Sequence, residues 1–299
     1  MILTGEKLPL KEDVPYEDAI ASQVIRIRWV QAQCYEIKLP NGKTIVTDPF
    51  FQQALPGKSS YYSIPHGINV DSFEGCDYVL MNHPHADHIL NLGDIYRKFE
   101  PLIICDTRYA FEISECFDIP FGKIFPVSMN QSYLFEDFRL NTYPAIHNPM
   151  GKLSGATMPP DVSKHMFGEA GAGLGKLDAM GCLANMNFLF TLHNRFKIGF
   201  AAGTDIANLA EAWRINGPDL LLRQRMVFAE AEEFADEVDR LGGTIALPIH
   251  HEVAFSHNTD MHAFVDQANQ ALRERKSSAK ILNPKRMQWY QISVGIQEI

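Results

Sequence analysis

Six consecutive residues, His83-Pro84-His85-Ala86-Asp87-His88, place three imidazoles and one carboxylate within about one turn of chain. Packing alone does not require so dense a set of donors. Imidazole nitrogen and carboxylate oxygen together suit a borderline divalent cation such as zinc, so the chemistry on offer is metal binding. The six follow an apolar run, Tyr78-Val79-Leu80-Met81, that reads as a buried strand. The C-terminal end of such a strand is where α/β folds usually build their sites. Three more polar residues each close an apolar segment: His147 after Tyr143-Pro144-Ala145-Ile146, Asp205 after Phe200-Ala201-Ala202-Gly203-Thr204, and His250 after Ala246-Leu247-Pro248-Ile249. Each is placed to converge on one sheet edge.

The elements that must hold these residues follow from hydrophobic periodicity. Ile25, Ile27 and Trp29 alternate with Arg26 and Arg28 in a run extending to Leu39; Pro40-Asn41-Gly42-Lys43 then supplies a turn into Thr44-Ile45-Val46-Thr47, predicting a β-hairpin. After Asp48-Pro49 the stretch to Gly75 lacks a sustained period and reads as a long loop. The pattern predicts a strand over 78–82, a helix near 88–98, a strand over 101–105, a helix over 107–117 and strands near 123–147. Asn148 to Gly181 holds seven glycines and three prolines and reads as a second irregular stretch. A hairpin over 187–192 and 197–201 follows, then helices near 207–214 and 228–241, a strand over 244–249, a helix over 260–274 and a last strand near 287–294. This alternation predicts an α/β sandwich, one domain over 1–299 with loop insertions near 50–75 and 149–182.

With 299 residues, 46% of them hydrophobic, the chain can bury a sizeable core. A net charge of -9 argues against a surface built to hold nucleic acid phosphates. Cys34, Cys76, Cys105, Cys116 and Cys182 form no Cys-x-x-Cys pair, which predicts buried free thiols. No stretch reaches the roughly 18 apolar residues of a membrane span. A soluble, cytoplasmic protein is expected, with oligomeric state left open.

The order Thr47-Asp48-Pro49, then HxHxDH, then His147, Asp205 and His250, resembles the metallo-β-lactamase superfamily across nearly the whole chain. The resemblance implies a four-layer αββα sandwich with a dinuclear metal site between two sheets. It implies that His83, His85 and His147 hold one metal, that Asp87, His88 and His250 hold the other, and that Asp205 bridges them. Asp48 is then an aspartate that supports the ligand loop without touching metal. Two divalent cations are implied, zinc ahead of manganese or iron. Hydrolysis by a water shared between them follows, with Asp87 and Asp205 at its centre. The hairpin leading to Asp-Pro-Phe and the Leu-Pro-Ile-His segment look similar to the branch of ascorbate-6-phosphate lactonase and N-acylphosphatidylethanolamine phospholipase D type enzymes. A small ester, lactone or phosphoester is the expected substrate, with the two long loops as pocket walls.

Each assignment has a plainer counterpart. A lone histidine after a strand is usually a satisfied polar group, and Asp205 also suits the N-cap of the helix that follows it. His251 competes with His250, but strand alternation points the two to opposite faces; His250 is preferred as the ligand, and His251 is left as a proton donor or a structural residue. His66 and His165 lie in the long loops and are candidates to face substrate, while His193 reads as a hairpin-turn residue. The acids from Glu230 to Asp239 read as a solvated helix face. Two rivals to a small-molecule hydrolase stand beside it. A nuclease of the same fold would need basic loops, and these carry only Lys58, Lys152, Lys164 and Lys176. A non-hydrolytic metalloprotein, a redox protein or a sensor, would keep the metal without turnover.

Overall fold

The computed structural model describes residues 24–51, 66–147, 172–181, 183–193, 195–204, 206–225, 229–251 and 260–293. The Asn41-Gly42 turn forms as its chemistry predicts: Gly42 takes φ +86°, the Asn41 side chain accepts the Lys43 N–H at 3.1 Å, and the Leu39 N–H reaches the Lys43 carbonyl at 2.7 Å. The run before it is two strands rather than one. The chain bends at Ala32-Gln33, where Ala32 takes φ +49°, so β1 (Val24–Gln31), β2 (Cys34–Lys38) and β3 (Thr44–Thr47) make an antiparallel meander. Parallel strands β4 (Tyr78–Leu80), β5 (Leu102–Asp106) and β6 (Ile124–Val127) extend this first sheet. Helices α1 (Ala86–Ile89), α2 (Leu92–Phe99) and α3 (Ala110–Phe117) lie in the connections.

The second sheet begins with β7 (Ser132–Leu134) and β8 (Phe138–Pro144). After helix α4 (Ala172–Met180) come β9 (Met186–Leu192), β10 (Lys197–Ala201), helix α5 (Ala207–Trp213), β11 (Leu220–Gln224) and helix α6 (Ala231–Leu241). The chain then runs through β12 (Ile245–Ile249), helix α7 (Met261–Glu274) and β13 (Lys280–Ile281), and returns to the first sheet as β14 (Tyr290–Ser293). The two seven-stranded sheets have the orders β14-β1-β2-β3-β4-β5-β6 and β13-β12-β11-β10-β9-β8-β7.

Three apolar clusters separate four layers. Ile25, Ile27, Ile37 and Ile45 of the first sheet meet Phe188, Phe190, Phe200 and Leu222 of the second in the central cluster. Val79, Ile103 and Val46 turn the other way, onto Ile95, Ile113 and Leu177 of the first helical layer. Leu221 and Ala246 pack on Trp213, Phe234 and Phe264 of the other. The αββα sandwich is therefore the observed fold, and strands buried on both faces explain the near-continuous apolar runs of β10 to β12.

Three elements differ from the sequence expectation. The helix expected over 88–98 is broken into α1 and α2, because Asn91 turns back to the β3 end: its N–H reaches Pro49 O at 3.0 Å and its Oδ1 accepts the Phe51 N–H at 2.9 Å. Strand β11 is absent from the sequence prediction, since Arg223 interrupts an otherwise apolar run. Its guanidinium is wholly buried and reaches Glu237 of α6 at 3.0 Å, so Glu237 does not belong to the solvated face that its neighbours Glu232 and Glu233 form. Helix α4 falls inside the stretch expected to be loop. Leu177, buried in the first helical cluster, and a Lys176–Glu112 ion pair of 2.9 Å hold it on α3. Of the long loops, 52–65 and 148–171 lie outside the described residues.

Candidate metal centre

The C-terminal ends of β3, β4, β10 and β12 share one edge of the sandwich, and β8 runs parallel to β10 across β9. Asp48 leaves β3 with φ +35° and His250 leaves β12 with φ +57°, where its N–H binds the Ala32 carbonyl at 2.9 Å. Left-handed backbone at three non-glycine residues, Ala32, Asp48 and His250, is a local strain held by the surrounding packing. It turns the side chains at 48 and 250 away from strand geometry.

These edges bring the sequence-identified donors together. One group holds His83, His85 and His147, a second Asp87, His88 and His250, and a third Asp48, His83 and His88; within each, donor atoms lie within 4.8 Å of one another. His83 Nε2 stands 3.0 Å from His85 Nδ1, and the His85 and His147 ring centroids are 4.5 Å apart. His250 Nε2 lies 3.0 Å from Asp87 Oδ2, and His88 Nε2 lies 3.5 Å from Asp87 Oδ1. In the third group the contact is a hydrogen bond: Asp48 Oδ2 takes His88 Nδ1 at 2.9 Å, and Asp48 Oδ1 accepts the Asn82 N–H at 2.7 Å. Both carboxylate oxygens of Asp48 are thus used in orienting other groups.

The donor set fits divalent cations. Asn82 donates its amide N–H to the Met186 carbonyl, which turns its Oδ1 to His83 Nδ1 at 2.6 Å. Nδ1 then carries the His83 proton, and Nε2 presents a lone pair. Two imidazole nitrogens on one tetrahedral zinc stand about 3.3 Å apart, close to the separation of His83 Nε2 and His85 Nδ1. Burial holds both imidazoles well below their ordinary range, and neighbouring imidazoles push the same way, so both stay neutral. Burial raises the Asp87 carboxyl, but His88, His250 and His85 outweigh it, and the group sits well below the usual carboxylate range. Neutral imidazoles beside an ionised carboxylate are the protonation states that ligands require.

Of the other residues singled out by sequence, Asp205 lies outside the described residues, as do His165 and His257. Its neighbours are firmly placed: Thr204 N–H binds the Ile146 carbonyl at 3.0 Å, Gly203 N–H binds Gln224 Oε1 at 2.8 Å, and Arg223 Nη1 reaches the Gly203 carbonyl at 2.9 Å. His251 belongs to none of the three groups. It is buried against Trp29 with ring centroids 4.2 Å apart, and burial lowers its pKa to about 3. His66 binds Gln31 Oε1 at 2.7 Å, and His193, in the β9–β10 turn, meets the Glu136 carbonyl at 2.6 Å. Cys34, Cys76 and Cys105 are buried free thiols; Cys182 lies outside the described residues.

Residues that the sequence did not point to complete the surroundings. Asn82 fixes His83; Asn187 accepts the Ala202 N–H at 2.8 Å and donates to the Pro144 carbonyl at 3.1 Å, tying the β8 and β10 ends together. Gly203, at φ +85°, lies so close to the Ile146 carbonyl that any Cβ would overlap it. Among the described residues no helix is long and apolar enough to cross a membrane.

Comparison with known proteins agrees with this fold. Residues 26–153 match the β-lactamase superfamily domain. A metal-dependent hydrolase of Oenococcus oeni is 28% identical over 146 residues, 48% of this chain; the match spans only 57% of that relative's length. Igni18, a metallo hydrolase from the archaeon Ignicoccus hospitalis, superposes with a TM-score of 0.63 at 11% identity, over 91% of this chain and 100% of that one. The isothiocyanate hydrolase from Delia radicum gut bacteria gives 0.60 at 16% identity, over 90% and 99%. The chain has the metallo-β-lactamase fold, and within it residues 26–153 are similar to the β-lactamase superfamily domain.

Proposed function

We propose that this chain is a metal-dependent hydrolase. In this reading His83, His85 and His147 would hold one divalent cation and Asp87, His88 and His250 a second, with Asp205 the expected further carboxylate ligand. The observation that carries it is the convergence of two three-donor groups from two sheets, two donors of each group buried, with His83 and His85 held neutral and Asp87 ionised. The names of the Oenococcus relative and of the two hydrolases of like fold support the same class.

When bound, such a pair of cations supplies Lewis acidity toward a substrate oxygen and brings the pKa of a water toward neutrality. The chain's own residues set the conditions. Burial keeps His83 and His85 from taking up protons that would compete with metal. Asp48 fixes the His88 tautomer through Nδ1 and leaves Nε2 toward Asp87. Asn82 does the same for His83. His251, neutral and packed at a tilt against Trp29, supports the β12 end, and no proton transfer is assigned to it.

Zinc is the proposed metal and a small ester, lactone or phosphoester the proposed substrate, in keeping with the lactonase-like wording of the hairpin and the Leu-Pro-Ile-His segment. One domain carries both halves of the site. Metal analysis of the purified chain is expected to give close to two ions, and fewer than one would sink the dinuclear scheme. A screen of lactones, phosphodiesters, thioesters and β-lactams with added zinc should find turnover that His85→Ala and Asp205→Ala each abolish. Turnover retained in both variants would remove the metal-dependent mechanism.

A further inference from the structure

We propose that Asp178, on helix α4, is a positioning residue for the metal centre: its buried carboxylate holds the peptide between His85 and Asp87, and with Gly181 it clamps the ligand loop from outside. The inference rests on the ligand scheme proposed above. Helix α1 is a single turn, and its N-cap residue, His85, makes no side-chain capping bond. The Ala86 N–H at its start is therefore one of the donors a helix leaves orphaned. Asp178 Oδ1 accepts it at 3.2 Å, from a helix 92 positions further along the chain.

The carboxylate is fully buried, and its other oxygen meets no donor among the described residues. Burying a carboxylate for one backbone hydrogen bond is a poor way to stabilise a fold, since a neutral acceptor would do the same at lower desolvation cost. Beside a site that gathers cations, a buried negative charge is compensated, and what it supplies is the orientation of the peptide linking two ligands. The same helix makes a second contact one turn later. The His85 imidazole lies against Gly181 so closely that a Cβ there would overlap the ring. Side chain and backbone of one short segment thus fix the peptide on one side of His85 and the plane of the ring itself.

The clamp is itself held. Leu177 is buried in the first helical cluster and Lys176 pairs with Glu112 at 2.9 Å, so α4 is docked on α3 independently of the ligands. This gives the glycine-rich segment ahead of β9 a role: glycine at 181 leaves room for an imidazole, and aspartate at 178 reaches the loop that carries it.

The test compares wild type, Asp178→Ala, Asp178→Asn and Gly181→Ala as full-length chains. Cobalt(II) and zinc affinities are measured by competition with a chromophoric chelator, and the visible spectrum of bound cobalt reports ligand geometry. Asp178→Ala is expected to weaken affinity about 10- to 100-fold and to alter the cobalt spectrum. Asp178→Asn, whose amide oxygen can accept the same N–H, should recover most of the loss. Gly181→Ala, with Asp178 intact, should displace His85 and shift the spectrum even if Asp178→Ala proves too unstable to purify. A folded Asp178→Ala chain with wild-type affinity and spectrum would overturn the inference. So would an asparagine variant as weak as the alanine one, or an unchanged spectrum in Gly181→Ala. Wild type that binds neither metal would overturn the ligand scheme itself, a failure distinct from loss of the clamp alone.

Discussion

Asp48 and His88, forty positions apart in sequence and both buried, are joined by a 2.9 Å hydrogen bond from Nδ1 to Oδ2, while the other oxygen of Asp48 accepts the Asn82 N–H at 2.7 Å. One carboxylate therefore sets the end of β4 and the ring of His88 together. In Asp48→Ala, a buried N–H and a ring nitrogen lose their partner, each at about 1–3 kcal/mol. Urea unfolding of the metal-free protein should show that loss. Metal affinity should fall about 10- to 100-fold. A variant with unchanged chelator competition would show that Asp48 orients nothing.

Gly203→Ala tests the join between the two halves of the second sheet. The position has φ +85°, and its new methyl would run into the Ile146 carbonyl, one residue before His147. Strain and displacement together should cost about 1–3 kcal/mol. Metal content should fall in parallel. Thermal and urea unfolding read the first, elemental analysis the second; a fully loaded, equally stable variant would contradict the packing described for that corner.

Arg223→Met leaves the half-buried Glu237 without its partner and frees the carbonyls of Ala201 and Gly203. A loss of about 2–4 kcal/mol is expected from breaking a pair with one fully buried and one half-buried member. The double variant Arg223→Met, Glu237→Leu should regain part of it. Equal stability of single and double variants would mean that the pair is not coupled in the fold.

Stability of the chelated protein should fall with pH below about 6.5, the ordinary histidine value. His83 and His85 are held neutral by burial well below that value, and His251 titrates at about 3, so unfolding takes up protons that the native state refuses. Each contributes a slope of about 1.4 kcal/mol per pH unit in that window, with stability lost on acidification. Asp178, whose charge has no cation beside it once metal is removed, opposes them. Burial raises its carboxyl to about 7, so it keeps a proton in the fold and gains stability as pH falls toward about 4. His251→Gln should flatten the profile by one proton; a urea midpoint that climbs as pH falls would contradict the neutral buried imidazoles.

The opening motif was legible because a strand end followed by HxHxDH leaves little else for those donors to do, and the sandwich followed from alternating apolar runs. His147 and His250 were legible through the same device, a polar residue closing a strand. Asp178 and Gly181 were not, because α4 has glycines where helix propensity is poor, and its fold depends on Leu177 packing against residues far away in sequence. Strand β11 was hidden by Arg223, whose burial makes sense only once Glu237 is brought beneath it. Asn82 looked like the tail of a strand; its function depends on the Met186 carbonyl, supplied by the opposite sheet. Short-range pattern reveals donors, and long-range partners reveal what orients them.

The division of donors between the sheets also bears on the order of events during synthesis. On the proposed scheme the first sheet presents His83, His85, Asp87 and His88 early in translation. The group with His83 and His85 closes only when His147 follows β8 at mid-chain, and the group with Asp87 and His88 only when His250 follows β12 late in the chain. A nascent chain emerging from its N-terminus first would therefore display an incomplete, weakly holding second group through most of elongation. On that scheme, full retention of metal requires the second sheet to have docked on the first.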